Sequence, residues 1–256
     1  MMKKRFIFFA ILFSLITSGF AVTLEAGFQW DTYNPAKAKG VPGFTFDISE
    51  QLSENFSMIA TIDNLYALNY NAFCGGSFFT ENFYFSAAFM FALRNGMLSP
   101  GIMLETGFDI GKVVSFEIEA DFAFSPSDFS SNSLIYIEGD VIFHSKNSDL
   151  TLSYTYDHVF TSNGFENRNS GLIDILAFEE GFPFKLGIFF GAGAEQHSYD
   201  TSFFDLGISA GGNMIFEFGK AGTYILKGES EVFRLLRTSE EKIPFAISFS
   251  TKFEIE

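Results

Sequence analysis

The chain has 256 residues, room for one large domain or two small ones, and carries 31 Asp+Glu against 16 Lys+Arg. A chain this acidic has no basic stripe with which to neutralise phosphates, which excludes nucleic-acid binding by that route. One cysteine, Cys74, excludes an intramolecular disulfide framework.

Lys3, Lys4 and Arg5 open the chain, Phe6 to Ile16 is apolar, and Ser18-Gly19-Phe20-Ala21 supplies small residues at Gly19 and Ala21. This is the charged, apolar and small-x-small order of a secretory signal peptide. The apolar run is too short for a membrane helix, which needs roughly 20 residues. Residues 1–21 are therefore expected to be a signal peptide cleaved after Ala21. No cysteine follows the apolar run, so a lipid anchor is not expected.

From Val22 onward, segments of alternating apolar and polar residues are separated by turn residues. Period two means a strand with two chemically different faces. The pattern predicts strands over 22–30, 43–52, 56–66, 71–79, 83–94, 100–110, 113–124, 133–144, 149–160, 171–179, 184–195, 203–218, 222–236 and 243–255. The stretches 71–79 and 171–179 are the most weakly phased. Val114, Phe116, Ile118, Ala120, Phe122 and Phe124 share one face, and Ser115, Glu117, Glu119 and Asp121 the other. No helical period or dividing linker is found, so residues 22–256 read as one domain. Ser53-Glu54-Asn55-Phe56 and Thr80-Glu81-Asn82-Phe83 repeat a hairpin-turn pattern.

A sandwich also alternates, but three features favour a barrel in a membrane. Short connections (Ser53–Asn55, Thr80–Asn82, Gly111–Lys112, Ser145–Ser148, Glu180–Pro183, Gly219–Ala221) alternate with longer ones (Asp31–Pro42, Ala67–Tyr70, Asn95–Ser99, Ser125–Asn132, Thr161–Ser170, Gln196–Ser202, Arg237–Lys242). The apolar faces are almost free of charge, as lipid requires, with Asp174, His158 and Arg234 as exceptions. Aromatics gather near the row ends, such as Trp30, Phe44, Phe124, Phe204 and Phe245 at one rim and Phe56, Phe83, Phe143, Phe184, Tyr224 and Phe253 at the other. Strands of about 11 residues tilted near 40° rise roughly 27 Å, enough for a bilayer core.

The chain thus resembles the broad class of Gram-negative outer-membrane β-barrel proteins, over the signal peptide and the whole mature chain. Its last strand resembles the assembly signal of that class, alternating up to Phe253, but ends Phe253-Glu254-Ile255-Glu256 instead of on an aromatic. The resemblance implies an all-β, antiparallel, up-and-down transmembrane barrel of about 14 strands, with 12 as the alternative. It implies membrane lipid and the outer-membrane assembly machinery as partners, and the cell outer membrane as location.

Sorted by parity, the polar face gathers Glu25, Asp47, Asp63, Glu105, Asp109, Glu117, Glu119, Asp121, Glu138, Asp140, Asp157, Glu195, Asp205, Glu217, Glu229, Glu231 and Glu254, against Arg94, Lys185, Lys227 and Lys252. These carboxylates cannot all be paired, and burying them dry would cost several kcal/mol each. A water-filled lumen removes that cost. The expectation is a monomeric, porin-like passive channel for cations or small polar solutes. Glu117, Glu119, Asp121, Glu138, Asp140, Glu229 and Glu231 are the candidates for setting its charge preference. The alternative is a closed barrel that anchors or adheres through the loops Asp31–Pro42 and Thr161–Ser170. The Glu117, Glu119, Asp121, Glu138 and Asp140 group also has the oxygen chemistry for Ca²⁺, although an ordinary solvated acidic wall is the favoured account of it. No cofactor, metal or catalytic site is expected. Asp157 and His158 face opposite ways, His144 shares a face with Asp140 and Ile142 without a paired nucleophile pattern, and His197 falls in a predicted loop near Asp200.

Overall fold

A computed structural model describes residues 22–31, 41–66, 69–94, 97–124, 133–161, 164–179, 182–198, 202–217, 223–233 and 245–255. The signal peptide, Arg234 and most of the long connections expected at 31–42, 125–132 and 237–242 lie outside these residues.

Alternating sequences pair into 14 strands: β1 (Val22–Asp31), β2 (Val41–Ser53), β3 (Phe56–Tyr66), β4 (Asn69–Phe79), β5 (Phe83–Arg94), β6 (Met97–Ile110), β7 (Val114–Ala123), β8 (Leu134–His144), β9 (Ser148–Thr161), β10 (Gly164–Phe178), β11 (Phe184–Ser198), β12 (Ser202–Glu217), β13 (Thr223–Phe233) and β14 (Phe245–Ile255). Each pairs antiparallel with its chain neighbours. β1 closes on β14 in a register running from Val22↔Ile255 to Asp31↔Ala246. Closure leaves no sheet edge, which is the condition for a sheet to survive in lipid.

The weakly phased stretch 171–179 is the end of a longer strand. β10 begins at Gly164, so the loop expected over Thr161–Ser170 is mostly strand, and Glu166 and Arg168 lie in the wall. Its Asn167, Asn169 and Gly171 occupy outward positions, which blurred the period in the sequence. Similarly, β6 begins at Met97 and β11 runs to Ser198, which puts His197 in a strand. Residues 67–68, 95–96 and 162–163 are all that separate their flanking strands, so the expected length asymmetry rests on three connections, 32–40, 124–133 and 234–244.

The two similar turn motifs form neighbouring turns at one end of the barrel. The Asn55 side-chain amide donates to the Phe79 carbonyl at 2.8 Å, and the Thr80 amide donates to the Phe83 carbonyl at 2.7 Å. Gly111 in the β6–β7 turn has φ of 62°, a conformation that favours glycine.

The outer surface is apolar along its height. Phe83, Phe85, Phe89 and Phe91 alternate outward on β5, with Phe89 71% exposed at mid-strand. Ile173 and Ile175 on β10, and Leu186, Ile188 and Phe190 on β11, continue the belt. Phe108 and Phe116 stack across β6 and β7 with centroids 4.8 Å apart. Among the described residues, outward phenylalanines occupy the strand ends (Phe56, Phe83, Phe143, Phe204) and also the middle of the belt (Phe89); the side chains of Trp30, Phe44, Tyr224, Phe245 and Phe253 lie outside the described residues. By register, Glu50 and His158 are the only acidic, basic or imidazole residues of the strands in outward positions. His158 sits among aromatics: its ring lies 4.2 Å from Phe160 and 5.3 Å from Phe165, and Nδ1 pairs with the Tyr156 hydroxyl at 3.1 Å. Such surroundings suit an imidazole near a lipid surface. Asp174, expected as an exception on the lipid face, points inward between Thr151 and Phe189 and accepts a 3.3 Å bond from the Asn213 amide.

Inside, the barrel is not uniformly polar. Phe73, Ala88, Met90, Ala92, Met103, Ala123 and Leu134 form a buried cluster on the inner face of β4 to β8, with Ile59 and Val159 against it. On β5 the outward row is Phe83, Phe85, Ala87, Phe89, Phe91 and Leu93, and the inward row sets Ala88, Met90 and Ala92 between Tyr84, Ser86 and Arg94.

Candidate functional site

The inner face changes character toward the turn end of the same wall. Cross-strand register sets Glu105 opposite Glu119, Glu119 opposite Glu138, and Glu117 opposite Asp140. Asp121 lies opposite Met103 and Tyr136, and Tyr136 opposite Asp157. Directly opposed residues are about 5 Å apart and like charges there repel. Glu117, Glu119 and Asp121 repeat about every 7 Å along β7.

Neutral donors offset part of this repulsion. The Tyr84 hydroxyl donates to Glu105 Oε1 at 3.0 Å, and the Tyr136 hydroxyl donates to Glu138 Oε2. Gly107 makes the first bond possible, because a Cβ there would meet the Tyr84 ring at 2.3 Å. The ring lies across the glycine and carries its hydroxyl to the next carboxylate. The inner face of β6 to β9 has no lysine or arginine in any register position.

The bases occupy other strands. Lys185 pairs with Glu217 at 2.7 Å and lies 5.4 Å over the Phe178 ring. Lys252 is opposite Glu25. Arg168, placed in a loop by the sequence pattern, stands on β10 between Asp157 and Glu195. The net acidity of the lumen positions is therefore concentrated on one wall.

The candidates Glu117, Glu119, Asp121, Glu138 and Asp140 are brought together on β7 and β8. Glu229 and Glu231 are not: they occupy inward register positions on β13, opposite Gly211 and Ser209, and their side chains lie outside the described residues. Beside the acidic group is a cavity of about 520 Å³ lined by Asp47, Glu119, Asp121 and Asp157, by Thr45, Thr61, Asn71 and Tyr136, and by Phe73, Met103 and Leu134. It joins the carboxylates to the edge of the apolar cluster. The Ca²⁺ alternative gains nothing from the geometry: among the described residues no three His, Cys, Asp or Glu converge as a metal site.

The closure, the outward apolar belt and the inward polar face define an outer-membrane-type β-barrel, the fold class that the sequence pattern implies. Solved structures agree in fold. A bacterial polysaccharide outer membrane secretin matches with a TM-score of 0.56 and 12% identity, over 93% of this chain and 99% of that one. The CymD monoaromatic hydrocarbon channel matches with a TM-score of 0.56 and 9% identity, over 94% and 90%. An outer membrane channel from Pseudomonas putida F1 matches with a TM-score of 0.55 and 7% identity, over 92% and 96%. No family model matches the sequence, and no curated protein matches it.

Sequence reasoning missed one further group at the turn end of the lumen. Ser115 Oγ is 2.7 Å from His144 Nε2, and His144 Nδ1 is 2.9 Å from Asp149 Oδ1. These residues stand on three strands; His144 and Asp149 flank one turn, and Ser115 lies 29 residues before His144. The available signal was the turn at 145–147, which sets His144 opposite Asp149.

Proposed function

We propose that this chain is an outer-membrane channel through which cations or small polar solutes pass passively. In this reading residues 1–21 direct export and are removed after Ala21, the assembly machinery inserts the mature barrel, and it works as a monomer. The observation that carries the reading is the β6–β9 wall: it holds Glu105, Glu117, Glu119, Asp121, Glu138, Asp140 and Asp157 with no lysine or arginine facing inward among them. Such a wall attracts cations and repels anions. Two of the fold's solved counterparts carry the name of channel, which agrees with this use of the barrel.

Proteoliposome swelling with polar solutes of equal size and different charge tests it. The refolded chain is expected to admit cationic solutes fastest and anionic ones slowest. Equal rates for the two would contradict the role given to the carboxylates.

A second reading has its own support. The buried cluster around Met90, Met103 and Leu134 fills part of the interior, and a lumen filled across its whole section would close the barrel and move its function to the loops. Vesicles holding folded protein that admit no solute at all favour that reading.

A further inference from the structure

We propose that Ser115, His144 and Asp149 form a nucleophile–base–carboxylate relay that hydrolyses small neutral or cationic esters at the turn-end mouth of the lumen. This goes beyond passage of solutes and does not depend on it.

The relay rests on geometry. Ser115 Oγ lies 2.7 Å from His144 Nε2, and Nδ1 on the far side of the same ring lies 2.9 Å from Asp149 Oδ1. Both distances are within hydrogen-bond reach, and the carboxylate and the hydroxyl engage different ring nitrogens. That order is what activates a serine: the carboxylate fixes the tautomer with the proton on Nδ1, which leaves Nε2 free to take the hydroxyl proton. The backbone holds the three in place. Ser115 is the second residue of β7, His144 the last of β8 and Asp149 the second of β9. His144 and Asp149 are register partners across the β8–β9 hairpin, and the His144 amide donates to the Val113 carbonyl at 2.7 Å. The side chains of His144 and Asp149 are 34% and 26% exposed, so water and a small substrate reach them.

Asp109 defines the resting state. Ser115 Oγ donates to Asp109 Oδ1 at 2.6 Å. The hydroxyl has one proton and two acceptors, so it must turn toward Nε2 before attack. Asp109 and the nearby Glu117 also disfavour an anionic intermediate and an anionic substrate. The reaction is therefore expected to be slow and to favour neutral or cationic esters.

In the reaction, Oγ bonds to the ester carbonyl carbon as Nε2 takes the hydroxyl proton. The carbon–alkoxide bond then breaks, and Nε2 returns the proton to the departing alcohol. Water repeats the sequence on the acyl-serine, releasing the carboxylic acid and restoring Ser115. The sum is ester plus water to acid plus alcohol, with no change of oxidation state.

The test is covalent capture of the refolded full-length mature chain by an uncharged fluorophosphonate, in which Oγ displaces fluoride from phosphorus. Folding is followed in every variant by heat-modifiable mobility, and the labelled site is mapped by peptide mass. Labelling of the wild type at Ser115 is expected, with none in Ser115→Ala and a rate lower by about a hundredfold or more in His144→Gln. Folded wild type that stays unlabelled would overturn the proposal. So would labelling mapped to another residue, or an equal rate in His144→Gln. The mapped site and the His144→Gln rate decide the matter even if Ser115→Ala fails to fold.

Discussion

The loop half and the turn half of one wall turn opposite chemistries inward. Toward the loops, β4 to β8 turn Phe73, Met90, Met103 and Leu134 inward as a buried apolar cluster. Toward the turns, β6 to β8 turn in Glu105, Glu117, Glu119, Glu138 and Asp140. The strands are continuous and the outer surface is apolar at both levels. Period two therefore sets which side a residue faces, and the residue type decides whether that level of the inner face is apolar or acidic. The upper level gains from burial. The lower level holds opposed, half-buried carboxylates, two of which accept from the Tyr84 and Tyr136 hydroxyls.

Four substitutions sharpen this contrast. Met90→Asp is expected to have the largest effect: it sets a carboxylate in a site that is 0% exposed, and loss of the folded band in heat-modifiability gels checks it. Phe89→Arg, one residue away, faces lipid at mid-strand and should cost about 2–4 kcal/mol, measured by urea unfolding in vesicles. Gly107→Ala displaces the Tyr84 ring from the carboxylate level and should cost about 1–3 kcal/mol in the same assay. Glu119→Gln should have the smallest effect and the opposite sign. It removes a charge opposed on both sides by Glu105 and Glu138, so a gain of about 0.2–1 kcal/mol is expected. A loss of stability in Glu119→Gln would mean that this level is paired rather than hydrated.

Strand number and facing were legible in the sequence wherever one face was polar, as in Val114–Ala123. Phe83–Arg94 was predicted with its observed bounds, and the phase was lost where outward polar residues broke the period, as in Asn167 and Asn169 of β10. Asp174 was read as facing lipid because the phase of its strand was lost there. The grouping of Glu117, Glu119, Asp121, Glu138 and Asp140 was legible because β7 and β8 are consecutive, and a single connection fixes their pairing. Glu229 and Glu231 share the parity but stand on β13, and parity says nothing about which wall a residue joins. The Ser115, His144 and Asp149 contact was not legible. It depends on the register of three strands, which the turns set residue by residue.

In the proposed function the β6–β9 carboxylates control ion passage. The most direct test is the reversal potential of the refolded chain in a planar bilayer under a KCl gradient, measured beside Glu117→Lys/Glu119→Lys/Asp121→Lys. Discrete conductance steps that favour K⁺ are expected in the wild type, and a shift toward Cl⁻ in the variant. Steps whose reversal potential is the same in both would contradict it.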